Sequence, residues 1–308
     1  MLANFFGKSK PVNFILIVVL FLIYNYLNLF LHKSNTVELS TFLNNLIFLL
    51  GFIVIFFLFV FIVAKNKLTF DNTYAFLLFV ISIGFLNISS ISYWKIAEVI
   101  LLLLLLRRVY SLRTLNATFQ KLYDSGLWLG VLFLIASQNL VYILVVYGGI
   151  LLFVKLTYKS VIIPLIGVVT PLFLFFTFHF YQDSMSEFYQ VFDLNLGVNF
   201  QFLDVFSNQI VLMIFGILTL VSVLFKSGDI FAVSNKFKRS WVLLMVHFIT
   251  VILYLLIKEN VTSVDLLLFL IPSTIIIANW IQSIKRKVIV NLILTFLLAM
   301  SIAIHFIV

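Results

Sequence analysis

Long apolar runs separated by short polar gaps recur along the whole chain. They cover about Val12–Leu31, Phe42–Ala64, Asn72–Ile88, Tyr93–Leu106, Leu127–Ala136, Leu140–Val154, Val161–Tyr181, Asn208–Phe225, Trp241–Ile257, Val264–Ile281 and Val288–Val308. A hydrocarbon core of roughly 30 Å takes about 20 apolar residues of helix, fewer where a helix stops inside protein. The runs are continuous and rich in Leu, Phe and Ile, whereas strands of a membrane barrel alternate apolar and polar positions over about ten residues. The pattern predicts an all-α fold, a polytopic transmembrane helical bundle of about 11 spans. Residues 1–308 read as a single integral membrane domain whose longest outer loop is about 182–206.

The polar gaps differ in sign, and this orients the spans. Lys8 and Lys10; Lys65 and Lys67; Arg107, Arg108, Arg113 and Lys121; Lys155 and Lys159; Lys226, Lys236, Lys238 and Arg239; and Lys285, Arg286 and Lys287 fall in every second gap. They make 17 of the 20 Lys and Arg residues. The other gaps hold Lys33 and Lys258 with Glu38, Asp183, Glu187, Asp193, Asp204, Glu259 and Asp265, and Lys95 falls within a span. Basic residues are retained on the cytoplasmic side of membrane proteins. The expectation is therefore an N-terminus inside and a C-terminus outside, in a bacterial inner (cytoplasmic) membrane.

The same rule decides how Leu127–Val154 is read. As one long helix it would turn Lys155 and Lys159 outward and invert every later loop. As two short helices meeting near Ser137, Gln138 and Asn139 it keeps the basic gaps together. The expectation is a hairpin whose polar apex is buried in protein or wet.

Composition agrees: 64% of residues are hydrophobic and 10% charged, with a mean hydropathy of +1.22. A soluble globule of 35.5 kDa needs far more polar surface. The +9 net charge belongs to helix ends facing anionic headgroups, with no zinc spacing or basic module that would indicate a nucleic-acid partner. The absence of cysteine excludes disulfides and thiolate metal sites. Tyr24–Ser34 carries no small-residue cleavage pattern, so the first span is expected to be retained. No nucleophile elbow, phosphate loop, dinucleotide fingerprint or metalloprotease motif is present.

Several constellations carry chemistry. The 182–206 loop holds four acids and no Lys or Arg, interleaved with Phe188, Tyr189, Phe192, Phe200 and Phe202. Carboxylates act as bases and rings stack on sugars or cations, although a short amphipathic helix on the membrane surface has the same composition. Lys95 and Glu98 share a helix face inside a span, where ionisable side chains are costly. Either they pair and Lys95 snorkels outward beside Trp94, or they bind substrate. Arg107, Arg108 and Arg113, with Lys121, form the densest basic cluster; their planar forks suit a lipid phosphate, although ordinary stop-transfer charge at the end of a span is the simpler account. The four histidines lack metal-ligand spacing, so neither metal nor cofactor is expected. Pro164, Pro171 and Pro272 are expected to interrupt or kink spans, and Gly126 and Gly130 are spaced for close helix contact.

Four stretches together resemble a family of multi-spanning inner-membrane proteins of Bacteroidota. They are Asn4-Phe5-Phe6 through Lys8-x-Lys10-Pro11-Val12-Asn13-Phe14, Arg107-Arg108-Val-Tyr-Ser-Leu, Tyr123-Asp124-Ser125-Gly126-Leu-Trp-Leu-Gly130, and Ile163-Pro164-Leu-Ile-Gly167-x-x-x-Pro171. The resemblance covers about residues 1–181 and implies a membrane fold without a particular activity. The order Gly130-x-x-x-Leu half-span, polar apex, second short span, basic turn and Pro-bearing span is also distantly similar to C-type glycosyltransferases that use polyprenyl-phosphate sugars. That similarity implies a catalytic acid in the first outer loop, where this chain has Glu38, and a basic contact to the lipid phosphate. The loop His32–Thr41 is shorter than in those enzymes and lacks their acid pair.

The leading expectation is a protein of cell-envelope biogenesis that handles a polyprenyl-phosphate-linked sugar or lipid at the outer face. Glu38 would be the base, with Asp183 or Glu187 as second acid. Lys33, Lys95 and Glu98 would contact substrate, and Arg107, Arg108 and Arg113 a lipid headgroup. The competing readings are a non-enzymatic subunit of an envelope complex, with other membrane proteins as partners, and a transporter.

Overall fold

The computed structural model describes residues 2–31, 39–86, 93–193, 197, 203, 205–229, 234–258 and 261–307. Among these residues the fold is all-α, with thirteen α-helices and no strand. In chain order they are α1 Leu2–Phe6, α2 Pro11–Leu31, α3 Leu39–Lys65, α4 Tyr74–Ile83, α5 Tyr93–Ser111, α6 Thr118–Ile135, α7 Ile143–Phe153, α8 Tyr158–Tyr181, α9 Met185–Gln190, α10 Phe206–Asp229, α11 Asn235–Ile257, α12 Asp265–Ser283 and α13 Lys287–Ile307. Among the described residues each of the eleven apolar runs contains one α-helix or most of one, and α1 and α9 are additional short ones. Six helices, α3, α8, α10, α11, α12 and α13, are long and apolar enough to cross a membrane. The shortest helix lying on one of the apolar runs, α4, has ten residues and rises only about 15 Å.

The chain divides into two compact units. The first comprises 1–96, 200–233 and 262–308. Its core is α12, buried along nearly its whole length, with α4, whose ten residues are all buried. Phe21, Phe52, Phe79 and Phe59 stack in series at centroid distances of 3.9, 6.1 and 4.4 Å, knitting α2, α3 and α4 together. At one end, Asn13 donates to the carbonyls of Phe5 (3.0 Å) and Lys8 (2.8 Å) and to Thr73 Oγ1 (3.1 Å). Ala3 N–H donates to Asn291 Oδ1 at 2.8 Å, Asn72 to Gln282 Oε1 at 2.7 Å and Asn279 to the Leu68 carbonyl at 2.9 Å. The N-terminal motif is thus a structural clasp, in which one buried amide satisfies carbonyls left by the break between α1 and α2.

The second unit comprises 97–199 and 234–261. Its tightest seam is α6 on α8. A Cβ on Gly126 would strike the Pro164 carbonyl, one on Gly167 the Tyr123 carbonyl, and one on Gly130 would come within 2.5 Å of Pro171 Cγ and the Val168 carbonyl. Close approach of the two backbones takes the place of side-chain interdigitation, as in other small-residue membrane seams. Of the two outcomes expected for the prolines, interruption does not occur: α8 runs unbroken through Pro164 and Pro171, and α12 through Pro272. The start of α8 is set by a capping box, with Thr157 and Ser160 exchanging side-chain-to-backbone bonds. Away from its seam, α8 exposes Val169, Phe173, Leu174 and Phe180, a surface suited to a lipid bilayer.

The break in Leu127–Val154 is real. Ala136 is extended (φ −153°, ψ 121°), and a 3-10 turn, Ser137–Tyr142, leads into α7. Asn139 at the turn reaches Glu98 early in α5, whereas a Cβ on Gly149 in α7 would lie 2.8 Å from Val109 late in α5 and 3.2 Å from Leu112 just past its end. The chain therefore goes out along α6 and returns along α7, as a hairpin with its apex at the Glu98 level.

Candidate functional site

In the first unit, Lys95 Nζ bonds Asp265 Oδ1 at 3.0 Å. Asp265 opens α12, is 1% exposed, and its Oδ2 accepts from the Thr262 N–H (2.7 Å) and hydroxyl (2.8 Å). A carboxylate at a helix N-terminus also meets the positive end of the helix dipole. In sequence terms Asp265 was an outer-loop acid; the fold draws it inward to Lys95, 170 residues away.

In the second unit, Glu98 is 2% exposed, and its Oε1 accepts from Asn139 Nδ2 (2.9 Å) and the Tyr254 hydroxyl (2.8 Å). Lys258 Nζ donates to that hydroxyl at 2.7 Å and lies 5.0 Å from the ring centroid. Tyr254 and Lys258 sit one turn apart on the face of α11 that meets α5 and the hairpin apex. Lys258, placed in an outer loop by its sequence position, is buried at the end of α11. Further along, His247 Nδ1 bonds the Tyr110 hydroxyl at 3.1 Å, and both side chains are buried.

Of the basic cluster, Arg108 is 3.0 Å from Asp124, and Lys121 bonds the Ser111 carbonyl (2.6 Å) and Thr114 Oγ1 (2.7 Å), capping the end of α5. Arg107, Arg108 and Arg113 are half-buried. Loss of hydration pushes the Arg113 guanidinium below the usual arginine range. A partly desolvated cation binds an anion more strongly than a fully hydrated one.

The outer acids are differently placed. Asp183 ends α8 at φ 54°, its N–H reaching the Phe180 carbonyl and Ser184 N–H the His179 carbonyl. This is the Schellman arrangement, in which Asp substitutes for the usual Gly or Asn. Its side chain is exposed. Glu187, on α9, is also exposed and lies 3.8 Å from His179, whose Nδ1 bonds Ser184 at 2.7 Å. Phe188 packs on Phe175 and Phe176, pinning α9 to the end of α8. Glu38 and Lys33 lie outside the described residues. Among the described residues no three His, Asp or Glu side chains are grouped to hold a metal.

Sequence reasoning singled out Lys95, Glu98 and the polar apex but missed their partners. Tyr254 and Lys258 at i, i+4 spacing offered a local signal; Asp265 offered none beyond its place at a helix start. No family model, curated protein or solved structure matches this chain.

Proposed function

We propose that this chain is an eleven-span protein of a bacterial inner membrane, N-terminus inside and C-terminus outside, that handles a polyprenyl-phosphate-linked sugar or lipid in envelope biogenesis. The observation that carries the reading is the group of three half-buried guanidinium groups at or just past the end of α5, Arg107, Arg108 and Arg113. Partly desolvated cations at a helix end suit a phosphate headgroup whose apolar tail stays in lipid.

The eleven-span orientation draws support from which gaps bond together. In the first unit, residues 3–13 bond to 73–74 and 291, and 68–72 to 279–282, all at basic ends, while Lys95 meets Asp265 at an acidic one. In the second, Arg108 meets Asp124, whereas Ser137 bonds the Asp193 carbonyl and Gly197 N–H the Ile257 carbonyl. Reporter fusions are expected to read outside after Ser137 and inside after Lys155. The same side for both would invert the later spans.

The lipid reading is tested by thermal unfolding in detergent with a short-chain polyprenyl phosphate and, separately, its parent alcohol. A ligand at a hundred times its dissociation constant stabilises by about 2.7 kcal/mol. The phosphate is expected to raise the midpoint, the alcohol to leave it unchanged, and Arg107→Gln with Arg113→Gln to reduce the shift. Equal shifts, or none, would favour the non-enzymatic membrane subunit, for which the exposed Tyr189 and Phe192 beside Glu187 offer a docking surface.

A further inference from the structure

The outward face of α8 carries a groove of about 420 Å³ lined by Leu165, Ile166, Val169, Thr170, Phe173 and Leu174. These positions recur at i, i+1, i+4, i+5, i+8 and i+9, a single stripe of a 3.6-residue helix. The seam with α6 takes the opposite stripe, on which Ser160, Pro164, Gly167 and Pro171 are all buried. Thr170 is the polar side chain of the lining, and its hydroxyl is used within the protein. It accepts from the Tyr123 hydroxyl at 3.2 Å and donates to the Ile166 carbonyl at 2.8 Å. What the groove offers an occupant is therefore hydrocarbon, and a sugar or another polar ligand would lose its hydration there without compensation.

Two observations decide between a partner helix and a lipid chain as that occupant. Helices that pack in a membrane approach at small residues, and α8 uses its glycine against α6, so its outward stripe is left with bulky Ile166, Val169, Phe173 and Leu174. Charge is the second. Lys159 lies two turns before Ile166 on the groove's own stripe, Lys155 precedes the helix, and both are exposed. Residues 125–182 contain no Asp or Glu, so the end of α8 beside these lysines is uniformly positive. Exposed Tyr158 stands between them, its ring centroid 5.8 Å from Lys159 Nζ. Tyr and Lys at the end of an apolar helix sit at headgroup level, the lysine laying its stem on apolar surface and its ammonium among the phosphates. The depth also fits. From Leu165 to Leu174 the groove lies about 9 to 22 Å along the axis from Lys159, and the hydrocarbon of one leaflet is roughly 15 Å deep.

We propose that the groove and the two lysines together form a binding site for one anionic phospholipid of the bilayer, in the leaflet at the N-terminal end of α8. Its phosphate sits on the Lys155 and Lys159 ammonium groups, and one acyl chain runs past Ile166 and over Thr170 to Phe173. The lysines select the headgroup charge, and the groove selects the chain. The site is separate from the lipid-phosphate reading of Arg107 and Arg113, and its assay contains no polyprenyl ligand.

The test is the purified full chain in a non-ionic detergent, titrated with phosphatidylglycerol or with phosphatidylcholine of the same acyl chains, the bound lipids being counted by native mass spectrometry. The wild type is expected to retain a first phosphatidylglycerol on the order of thirtyfold more tightly than phosphatidylcholine, about fivefold for each lysine beside an anionic headgroup. Lys155→Gln with Lys159→Gln is expected to erase that preference and leave phosphatidylcholine binding unchanged. Val169→Trp, whose ring would lie across the groove, is expected to weaken retention of both lipids with the two lysines in place. Lys285→Gln with Lys287→Gln removes the same charge from the exposed turn before α13 and is expected to change nothing. All of these positions are exposed, and Leu174→Trp on the other wall of the groove gives the same reading if Val169→Trp does not fold. Three results would overturn the proposal: equal retention of the two lipids by the wild type, an equal loss from the two lysine pairs, or a groove substitution that leaves lipid retention intact. A dimer that the groove substitution dissociates would assign the face to a second copy of the chain and overturn it as well.

Discussion

Gly126→Leu is expected to destabilise the second unit severely. The Cβ that any other residue adds at this position meets the carbonyl of Pro164, an atom of the opposing helix backbone that no rotamer change moves aside. The whole of α8 would have to retreat, which also opens the contacts of Gly167 directly opposite and of Gly130 one turn along the seam. Overpacking a core costs about 1–3 kcal/mol where side chains can yield, and more is expected here, where two backbones cannot. Fluorescence-detected size-exclusion chromatography after heating in detergent is the measurement: the variant should aggregate tens of degrees below the wild type. Gly216→Ala is the matched comparison. Nothing lies within 4 Å of a Cβ there, and alanine favours the helix by up to about 1 kcal/mol. If Gly126→Leu melts with Gly216→Ala, the seam is not where α8 is held.

The second large effect is at Lys95. Lys95→Met removes the ammonium group bonded to a carboxylate that is 1% exposed. Breaking one side of a buried pair costs about 3–5 kcal/mol, whereas replacing both sides by apolar residues is often close to neutral. The single variant is therefore expected to lose most of its thermal stability, and Lys95→Met with Asp265→Leu to regain a large part of it. The coupling free energy from this cycle is expected to exceed 1 kcal/mol, within the range for residues in direct contact. Asp265→Leu alone should do less damage than Lys95→Met, because Lys95 is 23% exposed and its ammonium can swing to water. Additive effects would mean that the pair contributes nothing.

The helices were legible because lipid makes their demands simple. Each apolar run had to satisfy its own backbone, so each lies on a helix, and the sign of the gaps located the turn at Ala136 where hydropathy alone shows one continuous stretch. Gly126 and Gly130 announced their seam by spacing. The prolines were read as a break or a kink, and of these the break is absent, since α8 and α12 absorb theirs without ending. The polar partnerships were mostly hidden for a different reason. Glu98 and Lys95 were visible as charges in an apolar run, but which groups receive them depends on which helices become neighbours, and Tyr254 and Asp265 lie 156 and 170 residues away. Asp183 and Glu187 attracted attention as acids, whereas backbone geometry gives Asp183 a prior duty as the residue that turns the chain at the end of α8.

The shortness of α4 bears on how the protein is made. Its ten residues reach only about half the depth of a hydrocarbon core, and among the helices enclosing them is α12, which leaves the ribosome much later. At about 5–20 residues per second, α4 waits on the order of 10–35 s for that neighbour. During that interval α1, α2 and α3, already synthesised, are the neighbours that shield it. Insertion and folding are therefore separated in time for the innermost element of the first unit, and an insertase or membrane chaperone that shelters a half-length helix has its point of action between the emergence of residues 83 and 265.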